Sequence, residues 1–130
     1  MRKIKFRGKS ILTDEWFYGD LVHSADKKRT AILVNDKDSY DECEVDPETV
    51  GQFTGLYDCE GKEIFEGDIL RFGNSQSGVC EVKWHEHIAA FCIRFYFKDE
   101  IGSRPLGGGV EFAIIGNIHD NPELLKSGEK

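Results

Sequence analysis

The side chains best suited to chemistry lie between residues 80 and 94. His85 and His87 are two apart, with Cys80 and Cys92 close in sequence. Two histidines at that spacing on a β-strand project from one face, and imidazole with thiolate is a donor set for zinc. Strand alternation puts Cys80 with Trp84 on the opposite face. That leaves Cys92 as a third ligand and shows no fourth. A metal-dependent enzyme around His85, His87 and Cys92 is therefore one expectation, set against the plainer reading of exposed histidines in a hairpin loop. On the following strand Arg94, Tyr96 and Lys98 share a face, a pattern that can neutralise phosphates and stack on bases.

The remaining candidates are less complete. Arg7-Gly8-Lys9-Ser10 ends like a phosphate-binding loop, but Lys3 stands where the pattern needs Gly and Leu12-Thr13-Asp14-Glu15 reads as a turn rather than a helix. Asp36-Lys37-Asp38, with Asp41, Glu42 and Glu44, is rich in carboxylates. A calcium loop of the EF-hand kind needs Gly and Glu where Asp41 and Pro47 stand, so a solvated acidic loop is expected. Asp20 and Asp68 follow Gly in two similar segments and could form a carboxylate pair, although repeated units also repeat their turn chemistry. No nucleophile elbow is present, and Gly107-Gly108-Gly109 reads as a flexible connector. No catalytic, cofactor-binding or metal-binding residue is assigned, and no cofactor is expected.

These groups must be carried mostly by strands. Trp16–Val22, Ala31–Val34, Val79–Trp84, Phe91–Phe97 and Phe112–Ile118 are aromatic or β-branched runs, and two of them alternate with period two. In Phe91–Phe97 the rings and Ile93 fall on one face, with Cys92, Arg94 and Tyr96 on the other. Two short helical turns are expected, at Asp46-Pro47-Glu48 and Asn121-Pro122-Glu123, each with a capping side chain before Pro at the first helical position. An internal echo links Phe6-Arg7-Gly8 to Phe53-Thr54-Gly55, and Phe17-Tyr18-Gly19-Asp20-Leu21 to Phe65-Glu66-Gly67-Asp68-Ile69. Each copy reads as strand, turn, strand. The Gly before each Asp implies a bulge or a close backbone approach. The expected fold is mainly β: a small SH3-like β-barrel over 50–130 with about five strands and a short C-terminal helix, and an N-terminal β extension over 1–49 packed on it.

Bulk properties narrow the setting. The chain has 130 residues, 39% of them hydrophobic and 12% aromatic, enough for a true core. No apolar run approaches membrane-spanning length. The basic start has no apolar segment behind it, so secretion is not expected and a cytoplasmic location is. The four cysteines, Cys43, Cys59, Cys80 and Cys92, form no Cys-x-x-Cys pair and are expected as free thiols. The net charge of −7 is uneven, at +4 over residues 1–30, −10 over 31–70 and −1 over 71–130. That balance works against phosphate binding over the whole surface.

Five segments together resemble one family. Ile4-Lys5-Phe6-Arg7-Gly8-Lys9 and Trp16-Phe17-Tyr18-Gly19-Asp20-Leu21 resemble the opening of the YopX family. Val45–Leu56 and Gly61–Ile69 are similar to its central signature, and Gly116–Leu124 to its closing motif. The resemblance implies a protein carried by bacteriophages or prophages, an SH3-like β-barrel, and self-association into a homo-oligomer. It supplies no catalytic residue to carry over. The leading expectation is thus a non-enzymatic phage accessory protein that binds a host or phage protein through its acidic middle, residues 36–48. A nucleic-acid-binding barrel using Arg94, Tyr96 and the basic N-terminus is the alternative, with the metal-dependent enzyme third.

Overall fold

The structure, a computed structural model, describes residues 2–36, 39–72, 78–97, 100–107 and 111–127. It is mainly β, in two antiparallel sheets. The chain divides into two compact units, Met1–Gly55 and Leu56–Lys130.

The first unit contains β1 (Phe6–Lys9), β2 (Trp16–His23), β3 (Thr30–Asp36), β4 (Ser39–Glu44), a single 3-10 turn at Pro47–Thr49, and the start of β5 (Gly51–Tyr57). Its strands lie in the order β4-β3-β2-β1-β5. In β3, which pairs with β2 and β4, Thr30, Ala31 and Ile32 are buried, Ile32 fully, while Leu33 and Val34 are half-buried. Gly19 is required in β2, since a Cβ there would run into the Leu33 carbonyl oxygen of β3. The expected 3-10 turn forms at Asp46-Pro47, and Asp46 Oδ1 accepts from the Glu48 N–H at 3.0 Å. The Thr49 hydroxyl ties this turn to β1. It accepts from the Lys9 N–H at 2.9 Å and donates to the Asp46 carbonyl at 2.6 Å.

The second unit contains β6 (Glu63–Phe65), β7 (Asp68–Phe72), β8 (Val79–His85), β9 (Ala90–Phe97), β10 (Glu100–Pro105), β11 (Phe112–Asn117) and α1 (Glu123–Ser127). Its sheet runs β10-β9-β8-β7-β11. Side chains from alternate positions of β7, β8 and β9 form one core: Leu70, Cys80, Val82, Ile93 and Phe95, joined by Ile64 and Phe112. Burying a set of this size is the main stabilising term for the unit. The alternation read from the sequence therefore places the core correctly.

The SH3-like barrel expected from the strand count is not formed by the described strands. Closure requires the two edge strands to pair. Here the edges are β10 and β11, three strands separate them, and among the described residues no ladder joins them. The strand count also differs, with seven strands between residues 50 and 118 where about five were expected. The acidic segment is not a loop over Asp41, Glu42 and Glu44, which lie in β4. Asp36 is placed in β3, while Lys37 and Asp38 lie outside the described residues, as do Lys98, Gly108, Gly109 and the last three residues. At the second expected cap, Asn121 Oδ1 turns back to accept from the Asn117 N–H at 3.3 Å instead of capping α1.

The internal echo is realised in two different ways. Gly19-Asp20 sits in mid-strand in β2, with Asp20 exposed. Gly67-Asp68 makes the β6–β7 turn. Gly67 has φ +94°, and the buried Asp68 accepts from the Phe65 N–H at 2.7 Å. The shared sequence therefore supports turn chemistry at one copy and close strand packing at the other, and supplies no matched carboxylate pair.

Candidate functional site

Two surfaces carry the chemistry-bearing residues, one on each unit. In the second unit the site is built from strand register. Directly opposed residues in an antiparallel pair share a face. β8 and β9 oppose Glu81 with Arg94, Lys83 with Cys92, and His85 with Ala90, while β9 and β10 oppose Arg94 with Ser103. Lys83, His85, Cys92, Arg94 and Ser103 therefore lie on the face opposite the core cluster. They border a groove of about 420 Å³, with Glu86 and His87 from the β8–β9 turn at its end. The histidine rings meet edge to face, with centroids 5.8 Å apart. His85 is half-buried, and its Nδ1 has no hydrogen-bond partner among the described residues. His87 is exposed in the turn, so only one of the two sits in the loop that the plainer reading expected.

The structure brings His85, His87, Cys92 and Arg94 to the border of one groove. Among the described residues no group of three or more His, Cys, Asp or Glu side chains could hold a metal ion. Cys92 is buried and its thiol points to the Ala90 carbonyl, 3.8 Å away. Cys80 is on the core face, and burial pushes its thiol up to about 12, the nearby Arg104 acting in the opposite direction. Cys80 therefore supplies no thiolate nucleophile near neutral pH. Lys83 and Ser103 were missed by sequence reasoning. Lys83 alternates in phase with His85, which was a usable signal, whereas Ser103 is brought in by β10, a strand the sequence did not announce.

In the first unit the surface is β4, at the edge of its sheet. Asp41, Glu42 and Glu44 are exposed, and Tyr40 among them is 66% exposed. Glu42 and Glu44 oppose Leu33 and Ala31 on one face, while Asp41 and Cys43 oppose Val34 and Ile32 on the other. Partial burial and the carboxylates of Asp41 and Glu15 push the Cys43 thiol up. β4 therefore presents carboxylates on both faces of an edge strand.

The fold and surfaces define a mainly β protein of two antiparallel sheets, with a polar groove on the second unit and an acidic edge strand on the first. The chain belongs to the YopX protein family, whose model matches residues 5–126. The crystal structure of protein EF1440 from Enterococcus faecalis is similar at 22% identity, covering 96% of this chain and 99% of that one, with a TM-score of 0.47. Among curated proteins nothing matches this chain. No helix in the described residues is long and apolar enough to cross a membrane.

Proposed function

We propose that this YopX-family chain is a non-enzymatic binding protein. In this reading it is an accessory factor of phage or prophage origin that works in the host cytoplasm as a homo-oligomer and holds a basic protein segment along β4. The observation that carries the reading is the exposed edge strand with Tyr40, Asp41, Glu42 and Glu44. An edge strand offers a row of backbone donors and acceptors to an incoming strand. Its carboxylates repel another acidic edge, so two copies do not pair through β4 and the segment that adds there is cationic. Tyr40 supplies the large amphipathic contact that interfaces favour.

Nucleic acid fits this surface poorly, because a strand bearing three carboxylates repels phosphate. The test is capture of the tagged protein from infected cells with nuclease present, comparing wild type with the triple variant Asp41→Asn, Glu42→Gln, Glu44→Gln. At about 0.2–1 kcal/mol for each of three exposed charge pairs, the variant loses about three- to 150-fold in affinity for the captured protein. Amide exchange in β4 slows when that protein is bound. Unchanged capture and unchanged exchange would refute the assignment.

A further inference from the structure

We infer that the basic segment held along β4 is the β2–β3 turn of a second copy of this chain, which presents Lys27, Lys28 and Arg29; this pairing rests on the binding role proposed for β4. The three cations stand together between β2 and β3, and all are exposed. Hydrogen bonds within the turn hold it in one shape. The Ser24 hydroxyl accepts from the Arg29 N–H at 3.0 Å, Asp26 Oδ1 accepts from the Lys28 N–H at 3.0 Å, and the Ser24 carbonyl accepts from the Lys27 N–H at 2.8 Å. The Arg29 charge acts on Asp26 inside the turn. Three cations against that one carboxylate leave the turn, Ser24 to Arg29, at net +2.

β4 is the complement, with Asp41, Glu42 and Glu44 and no cation, net −3. Both charge sets belong to the first unit, yet they do not satisfy each other within one chain. Among the described residues Lys27, Lys28, Asp41, Glu42 and Glu44 form no ion pair. The register gives the reason. Glu44 opposes Ala31, close to the turn, but Glu42 and Asp41 oppose Leu33 and Val34, four and five residues beyond Arg29. At about 3.3 Å per residue they lie about 13–17 Å along the sheet from the turn. That exceeds the distance of about 8 Å over which exposed charges act at physiological salt. The turn of a second copy is not bound by that register and can lie against these carboxylates. Like charge keeps two β4 strands apart, so the contact joins turn to strand. Two different surfaces meet in it, and it closes into a ring or continues as a chain. Tyr40, 66% exposed, offers its ring to the arriving cations. An external basic protein competes with the turn for the strand.

The experiment is sedimentation velocity of the whole chain over a concentration series, at low and at high salt. Wild type should self-associate as concentration rises, and salt should weaken this. Lys28→Glu with Arg29→Glu should weaken it about fourfold or more, since each reversal removes an attraction and adds a repulsion. Lys27 stays in place, because its φ of +61° makes it a poor site for substitution. Asp41→Lys with Glu42→Lys and Glu44→Lys should weaken self-association likewise. Mixing the two variants should restore it, because each then meets the charge that its own chain lacks, and that rescue shows that both are folded. A wild type that stays monomeric at low salt, a turn variant that associates as wild type does, or a mixture that stays monomeric would overturn the pairing. The binding role of β4 fails separately, when its neutral triple variant captures the same protein unchanged.

Discussion

Replacing Asp58 with Ala should destabilise the protein by about 3 kcal/mol, and the effect should fade in acid. Asp58 lies between β5 and β6 and is only 7% exposed. Its Oδ1 accepts from the Glu60 N–H at 2.9 Å and the Lys62 N–H at 2.8 Å, and its Oδ2 accepts from the Ile114 N–H of β11 at 3.2 Å. One carboxylate therefore closes a turn and ties it to a strand 56 residues away. Hydrogen bonds to a charged acceptor contribute about 1.5–3 kcal/mol each. The Glu60 and Lys62 amides sit at a surface turn where water can replace the lost acceptor, so they count at the low end or below. The Ile114 contact is long and also counts low, which gives a total near about 3 kcal/mol.

The acid dependence follows from the same contacts. Burial raises the Asp58 carboxyl, and the amides of Lys62, Ile114 and Glu60 together with the Lys62 charge outweigh it, so the net shift is downward. A lowered folded-state value means the stabilisation is fully present above the unfolded-state value of about 3.9 and is lost as pH falls through the lower folded value. Urea unfolding of wild type and Asp58→Ala, at neutral pH and at several points below about pH 4, measures both effects. Asp58→Asn keeps the shape and one acceptor oxygen, and should lose about half as much. A neutral-pH difference under about 0.5 kcal/mol, or one that does not change with acid, would refute the reasoning.

Two further outcomes test the packing. Gly19→Ala should cost at least about 3 kcal/mol or leave the first unit unfolded, because the methyl group meets the Leu33 backbone oxygen, which cannot move without breaking the β2–β3 ladder. Circular dichroism and denaturant melts read this directly, and a wild-type melt would show that the two strands are not so closely apposed. Among the thiols, exposed Cys59 should react with a thiol reagent in the native protein. Cys80, with its thiol raised to about 12 by burial, should react only on unfolding. Mass spectrometry of the labelled protein identifies which cysteine reacted first, and early labelling of Cys80 would contradict its burial.

How much of this was legible in the sequence depended on how far each signal reaches along the chain. Period-two alternation is local and independent of which strand becomes the neighbour. It placed Ile93 and Phe95 in the core, and Cys92 and Arg94 on the opposite face, before any pairing was known. The 3-10 turn at Asp46-Pro47 is equally local, since the cap and the amide it binds are two residues apart. Asp58 shows the limit: its turn was visible, but its hold on Ile114 was not, because nothing near Asp58 encodes that strand.

The acidic segment failed for a related reason. Carboxylates are depleted in strands on average, yet an edge strand tolerates them because its side chains stay in water, and only the pairing of β4 with β3 alone shows that it is an edge. The second cap failed because the Asn121 side-chain oxygen accepts from the Asn117 N–H and so serves the turn before α1. The sequence by itself thus determined the family, the β character, the face each strand residue occupies and the local turn at Asp46. Tertiary structure decided strand order, the open sheet in place of a barrel, and the meeting of Lys83, His85, Arg94 and Ser103 around one groove. Those depend on backbone hydrogen bonds between distant segments, which are chemically the same for every residue and so leave little trace in side-chain type.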